Sequence, residues 1–304
     1  MIQTHNIHAV HTNTILVHSG AIAARITGKK VIWHIRERIT EPRAVMYYIF
    51  NLIRWMSHRI ICISQNVKEN MESFTGVLER AEVIYNGVDL SVFSPSPVSR
   101  DRGARLKKSF TIPDDHYVVG IVGRVAFWKG HDTFVKAAKR VLDQGHQVIF
   151  LVAGDLDREI NQRYYDSLFS YIDQHHLSKN FIFTGFIADV AAVYAALDIA
   201  VVPSTRPEPF GLVAIEALAM GKPVIATNHG GTAEIIADTG FGALIPPGDH
   251  KALAANIISY INSESHMKRV KTLAPIYIKD NFAIGSCVNR IQLVYNKIHG
   301  INWK

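Results

Sequence analysis

From residue 117 onward, apolar runs and helical patterns alternate along the chain. YVVGIVGRV (117–125) is a short apolar run ending in Gly-Arg, as expected of a strand buried on both faces. HDTFVKAAKRVLDQG (131–145) follows with apolar residues at helical spacing, and Gly145 is a stop signal. The alternation continues with the strands QVIFLVAGD (147–155), NFIFTGF (180–186), IAVVPS (199–204), PVIAT (223–227) and GALIPP (242–247). Between and after them come helical patterns over 158–177, 190–198, 211–221, around 232–238 and over 249–261. Strands alternating with helices predict a parallel, doubly wound sheet. Ligands of such sheets bind beyond the carboxyl ends of the strands.

The first third repeats the theme less completely. NIHAVHT (6–12), KVIWHIRE (30–37) and RIICIS (59–64) read as three strands with helices between them. RAVMYYIFNLIRWMSHR (43–59) is aromatic, apolar and basic; it reads as a core helix, with a membrane-surface role as the alternative. Residues 94–115 are rich in Pro, Ser and charge. The expected organisation is therefore a partial first domain over 1–94, a linker over 95–115 and a second domain over 116–285. A C-terminal helix over 286–304 is expected to return toward the first domain.

The strongest chemical signal is PSTRPEPFGLVAIEALAMGKPVIAT (203–227). A strand ends at Pro203-Ser204, a loop carries Glu208, and a helix begins near Phe210-Gly211 and carries Glu216. A helix N-terminus offers unpaired N–H groups and a positive dipole end, which suit a phosphate. Gly211 has no side chain to block approach to those amides. Glu208 and Glu216 are placed to accept hydrogen bonds from sugar hydroxyls; the bland alternative is a solvated loop and helix surface. The second signal is GIVGRVAFWKGHD (120–132), where Gly123-Arg124 ends a strand and Lys129 follows. Two cations at a strand's carboxyl end can neutralise a diphosphate.

These two stretches together resemble the retaining GT-B glycosyltransferases of the large family 4 type (glycosyl transferases group 1). Glu208-x7-Glu216, Phe210-Gly211 and Gly221-Lys222-Pro223-Val224 carry the resemblance, supported by VIYNGVDLSVFSP (83–95), FTGFIADV (183–190) and His229-Gly230-Gly231 with Glu234. Thr232 stands where Pro or a small residue is common. The resemblance implies two Rossmann-like doubly wound domains, the first incomplete, because the chain opens near the family's fourth strand and has no Gly-rich loop before Val31. A truncated start, a partner chain that supplies the missing strands, and a donor-binding remnant remain open. It also implies roles. Arg124 and Lys129 stabilise the leaving diphosphate; Gly123 and the amides of Gly211, Leu212 and Val213 hold it. Phe210 lies at the donor site, and the backbone around Phe186 lies against the base. Glu208 contacts the donor sugar and Glu216 the ribose. His34, in a segment where the family's strand ends in a His, is placed over the donor sugar, or is a half-buried strand residue. Arg36 and Glu37 hold an acceptor hydroxyl or phosphate, or pair with each other.

Composition narrows the setting. The 304 residues carry two cysteines, which excludes a disulfide scaffold and suits a reducing compartment. No apolar run reaches the length of a spanning helix, and the polar, His-rich start is not a signal peptide. The expected place is the cytoplasm, with peripheral contact at the inner face of the membrane. The net charge is +7, and ten basic against seven acidic residues precede position 95. That excess suits an anionic ligand or membrane, and no nucleic-acid signature accompanies it. Asp155-Leu156-Asp157 imitates a metal motif, but the resembled chemistry needs no metal or other cofactor. His5, His8 and His11 lie in a strand-like stretch that does not hold them on one face. The expected activity is transfer from a nucleotide-diphosphate sugar to a saccharide or lipid-linked acceptor, in lipopolysaccharide or other cell-envelope polysaccharide synthesis. The alternative is a nucleotide-sugar-binding module, inactive alone. No lysine-bound cofactor signature supports a phosphorylase.

Overall fold

The computed structural model describes residues 7–156 and 158–299. The chain forms two compact units. One takes the chain through Gly87, the segment Pro207–Phe210 and the chain from Ile284 onward; the other takes Val88–Arg206 and Gly211–Ala283.

The first unit opens with β1 (Ala9–Thr12), α1 (Ser19–Ile26), β2 (Lys30–Ile35), α2 (Arg43–Met56), β3 (Arg59–Cys62), α3 (Gln65–Thr75) and β4 (Ala81–Val83). The strands are parallel, in the order β1-β2-β3-β4. Spatial order follows chain order, so right-handed crossovers put α1, α2 and α3 on one face. Met46, Phe50, Ile53 and Met56 are the buried stripe of α2. The expected core helix is present, but the rest of its surface, including Tyr47, Tyr48, Leu52 and Trp55, is exposed. β4 has three residues, too few to show a pattern, and the sequence reading missed it.

The second unit opens with α4 (Pro97–Ser109), inside the stretch read as a linker. The Pro and Ser residues there are capping chemistry. The Ser96 Oγ accepts from the Ser99 amide at 3.1 Å, the Ser99 Oγ accepts from the Ser96 amide at 2.8 Å, and Pro97 starts the helix. The sheet then runs through β5 (Tyr117–Val122), α5 (His131–Leu142), β6 (Val148–Ala153), α6 (Arg158–Gln174), β7 (Phe181–Gly185), α7 (Val190–Ala196), β8 (Ile199–Val202), α8 (Leu212–Ala219), β9 (Val224–Thr227), α9 (Gly230–Ile236) and β10 (Gly242–Ile245). Its order is β10-β9-β8-β5-β6-β7, with every pairing parallel. The chain builds outward from β5 in one direction and then returns to build outward from β8 in the other. The reversal between β5 and β8 is a topological switch point. Val119, Ile121, Phe134, Phe150, Val201 and Ile225 form the core behind it. α4 lies against α7 so closely that a Cβ on Gly103 would fall 2.8 Å from Ala195.

α10 (His250–Ile261) and α11 (Glu264–Phe282) complete this unit. The sequence reading has no counterpart for α11, whose pattern is interrupted by Pro275. α12 (Ile284–His299) belongs to the first unit, where Cys287 and Val294 pack on Ile32, Ile61 and Ile84. Cys62 and Cys287 are both free and buried.

Candidate functional site

In the second unit the residues after β5 and β8 meet at the switch point. Gly123, with φ of 136°, turns the chain out of β5. Its carbonyl lies where a Cβ on Gly154 would come within 2.0 Å, so the ends of β5 and β6 are in backbone contact. The loop then rests on the end of β8. A Cβ on Gly130 would fall 2.0 Å from the Pro203 carbonyl oxygen, and the Thr205 amide donates to the Trp128 carbonyl at 2.8 Å. Arg124 is exposed on this loop. Lys129 is half-buried, its ammonium 4.3 Å from the centre of the Trp128 ring. The Arg206 guanidinium covers Phe127 at 4.8 Å. Three cations therefore belong to two loops pinned together at the carboxyl edge of the sheet.

The start of α8 is the second part. Gly211 caps it with φ of 117°, and a Cβ there would lie 2.4 Å from the Thr232 Oγ1. Glycine is thus required both by conformation and by the approach of α9. The first amides of α8, at Leu212 and Val213, have no acceptor within the helix. Leu212 is exposed and Val213 half-buried. The ends of β8 and β9 are locked by the Ser204 carbonyl, which accepts from Thr227 Oγ1 at 2.9 Å and lies 2.8 Å from His229 Nε2.

Glu216 lies in the second turn of α8, half-buried. Burial raises its carboxyl above the usual range, and the Tyr194 hydroxyl, donating to Oε2 at 2.8 Å, pulls it part of the way back. Tyr194 itself is fully buried on α7. Phe186, just past β7, is 77 % exposed and presents its ring to solvent. Phe210 and Glu208 lie in the segment that counts with the first unit. Glu208 is half-buried; Phe210 is buried, its ring 5.9 Å from that of Tyr85. The Phe210 side chain is thus packed in protein, and what the segment can offer a ligand is its backbone. Ser64 fixes the segment by donating to the Pro209 carbonyl at 2.6 Å.

In the first unit β2 runs one residue past His34, which is 3 % exposed. Burial, then Arg36 and His11, push its imidazole down to about 3, so it is neutral. His34 lies 5.4 Å from the His11 ring, and His11 Nδ1 is 2.7 Å from the Tyr295 hydroxyl. The expected contact of His34 with a ligand does not fit a side chain so enclosed. Arg36 and Glu37 stand just beyond the strand end. Glu37 Oε2 accepts from the amides of Ile15 and Arg36, both at 3.2 Å, and so joins the loops after β1 and β2. Among the described residues no group of three or more His, Cys, Asp or Glu side chains is placed to hold a metal ion. His5 and Asp157 lie outside the described residues.

The family model for glycosyl transferases group 1 matches residues 104–275, more than half of the chain. The chain belongs to that family. A second model, glycosyltransferase family 4, matches residues 1–92. A lipopolysaccharide core biosynthesis mannosyltransferase, LpcC of Rhizobium leguminosarum bv. viciae, is 32 % identical over 220 residues, which are 72 % of this chain and 60 % of that protein. A capsular polysaccharide biosynthesis glycosyltransferase, CapM of Staphylococcus aureus, is 26 % identical over 288 residues, 91 % of this chain and 73 % of the relative. The crystal structure of Anabaena HepE in complex with UDP superposes with a TM-score of 0.90 at 27 % identity, covering 97 % of this chain and 80 % of that one. The fold is that of the GT-B glycosyltransferases.

The group 1 pattern in this chain places Gly123, Arg124, Lys129, Gly211, Leu212, Val213 and Glu216 around one switch point. It does not mark Tyr194, which holds the Glu216 carboxylate, nor Arg206, which adds a cation to the same loops. Tyr194 is legible only as a lone aromatic hydroxyl in the alanine-rich VAAVYAALD.

Proposed function

We propose that this protein is a retaining glycosyltransferase that moves a sugar from a nucleoside diphosphate sugar to an acceptor hydroxyl of a saccharide or lipid-linked acceptor. The setting is cell-envelope polysaccharide or lipopolysaccharide synthesis, in the cytoplasm at the inner face of the membrane. The observation that carries this reading is the second unit's edge. There, exposed Arg124, half-buried Lys129 and the glycine-started α8 surround the switch point. Two cations and a helix start suit the two phosphates of a leaving nucleoside diphosphate.

In this reading the bond from the sugar's anomeric carbon to the diphosphate oxygen breaks as the bond to the acceptor oxygen forms on the same face. The acceptor's proton passes to the departing diphosphate oxygen. Arg124, Lys129 and the amides of Leu212 and Val213 hold the charge that develops there. Glu216, oriented by Tyr194, binds the ribose; Glu208 contacts the sugar; Phe186 lies by the base. Arg36 rather than the enclosed His34 meets the acceptor. No metal or organic cofactor has a role in it.

Calorimetry with UDP-, GDP- and ADP-sugars tests the donor site. One nucleotide is expected to bind, with binding lost on Arg124→Ala or Glu216→Ala; no binding by a folded wild-type chain refutes the assignment. A transfer assay with the anomeric product read by NMR tests retention. A second reading, a nucleotide-sugar-binding module completed by another chain, is favoured by the short first sheet, in which β1 is an edge strand among the described elements. Donor binding without hydrolysis or transfer would select it.

A further inference from the structure

Four parallel strands with all three connecting helices on one face bring the ends of those helices to one place, the amino-terminal end of the first unit's sheet. That end lies opposite to Arg36 and Glu37. Each connection there carries an exposed apolar residue: Ile26 at the end of α1 (80 % exposed), Trp55 at the end of α2 (66 %) and Val77 between α3 and β4 (81 %). Each also carries basic residues: Arg25, Lys29 and Lys30 at the first, Arg54 and Arg59 at the second, Arg80 at the third.

These residues form one surface. The Arg25 guanidinium lies 5.3 Å from the centre of the Trp55 ring. Lys30, His58, Arg59, Arg80 and Lys297 line one shallow pocket of about 360 Å³. Its electrostatics are felt by His58, whose imidazole is lowered by burial and by Lys30, Arg25 and Arg80. α1 and α2 contain three arginines and no acid. The acids at this end are Glu79 and Glu82, and Glu82 lies 3.5 Å from Lys297. An exposed Trp and two aliphatic tips with a basic collar match an anionic bilayer. Indole rings settle at the headgroup level, aliphatic tips enter the acyl boundary, and Lys and Arg attract anionic headgroups. A soluble anion would be held by the pocket but leaves the apolar tips without a purpose.

We propose that the amino-terminal end of the first unit's sheet, with Ile26, Trp55 and Val77 inside a collar of Arg25, Lys30, Arg59, Arg80 and Lys297, docks the protein on an anionic lipid surface. This deepens the membrane placement in the reading above and rests on that reading for its purpose. No helix among the described residues is long and apolar enough to cross a membrane, so the contact proposed is peripheral.

Sedimentation of the full chain with vesicles tests this. Binding is expected to phosphatidylglycerol-containing vesicles at low salt, to weaken as salt rises, and to be absent with phosphatidylcholine alone. Lys30→Gln with Arg80→Gln is expected to weaken partitioning about thirtyfold, from about 1 kcal/mol for each charge near the surface. Ile26→Ser with Trp55→Ser is expected to weaken it by roughly tenfold or more. The control replaces two exposed cations of α4, Arg105→Gln with Lys108→Gln, and is expected to change little. Failure of the wild-type chain to sediment with anionic vesicles overturns the proposal, as does an equal loss in the control. Donor calorimetry on the same variants keeps the two readings apart: lost lipid binding with intact donor binding leaves the glycosyltransferase reading standing, and the converse leaves the lipid surface standing.

Discussion

Replacing Tyr194 by Phe removes one hydroxyl and leaves the ring in place. The ring is buried and edge-on to Phe93 at 5.9 Å, so packing survives. What disappears is the 2.8 Å bond to Glu216 Oε2. A hydrogen bond to an ionised group contributes about 1.5–3 kcal/mol. Its effect depends on pH, and the sign follows from Glu216. Burial raises that carboxyl above its ordinary value of 4.5, and the Tyr194 bond acts against the rise. A carboxyl raised in the folded state contributes stability that is fully present below its unfolded value and is lost as pH rises through its folded value. Without the hydroxyl the folded value climbs further, so the added penalty falls where Glu216 is ionised. Tyr194→Phe should therefore lose about 1.5–3 kcal/mol at pH 8 and progressively less as pH falls toward 5. For a unit of this size that is a fall in melting midpoint of roughly 3–12 °C at pH 8. Scanning calorimetry of the wild type, Tyr194→Phe, Glu216→Ala and the double variant at both pH values reads it. In the Glu216→Ala background the hydroxyl has lost its acceptor, and removing it should be neutral or stabilising. An equal loss at both pH values, or an undiminished loss in the Ala background, refutes the assignment of this bond to Glu216.

Gly211→Ala should lose about 3 kcal/mol in denaturant unfolding, because it combines a left-handed backbone with a Cβ 2.4 Å from Thr232 Oγ1; adding Thr232→Ala should return the steric share and leave the backbone share. Asp189→Ala removes both the cap of α7, where Oδ1 accepts from the Ala192 amide at 3.0 Å, and the 2.7 Å bond from Arg102 Nε that ties α4 to α7; urea unfolding at pH 7 should show a loss of about 1–2 kcal/mol. Burial raises the Asp189 carboxyl, but the Arg102 and Ala192 bonds outweigh it and hold it below the usual range, so this contribution is present above the unfolded value and the difference from wild type should vanish as pH falls through the folded one.

What could be read from the amino-acid sequence follows how locally each feature is specified. β5, β6 and β8 are continuous apolar runs because both faces of a parallel sheet are covered, and such runs are visible at once. Gly211 is visible for the same reason: a helix start that approaches its neighbour has one chemical solution. α4 was hidden because Ser96 and Pro97 mean a helix cap in one context and a loop in another, and only packing on α7 decides between them. Tyr194 was hidden because its partner is 22 residues away on another helix. His34 shows the opposite error. Its place near a strand end suggested a ligand contact, but β2 continues to Ile35 and α12, arriving some 250 residues later in the chain, covers the face on which His11 meets Tyr295. Short-range chemistry was therefore legible at the phosphate-binding edge, where backbone conformation does the work. It was not legible where a side chain's role depends on which distant element covers it, and the exposed face of α2 belongs to that class: its second, uncovered surface is a property of the whole sheet's end rather than of the helix alone.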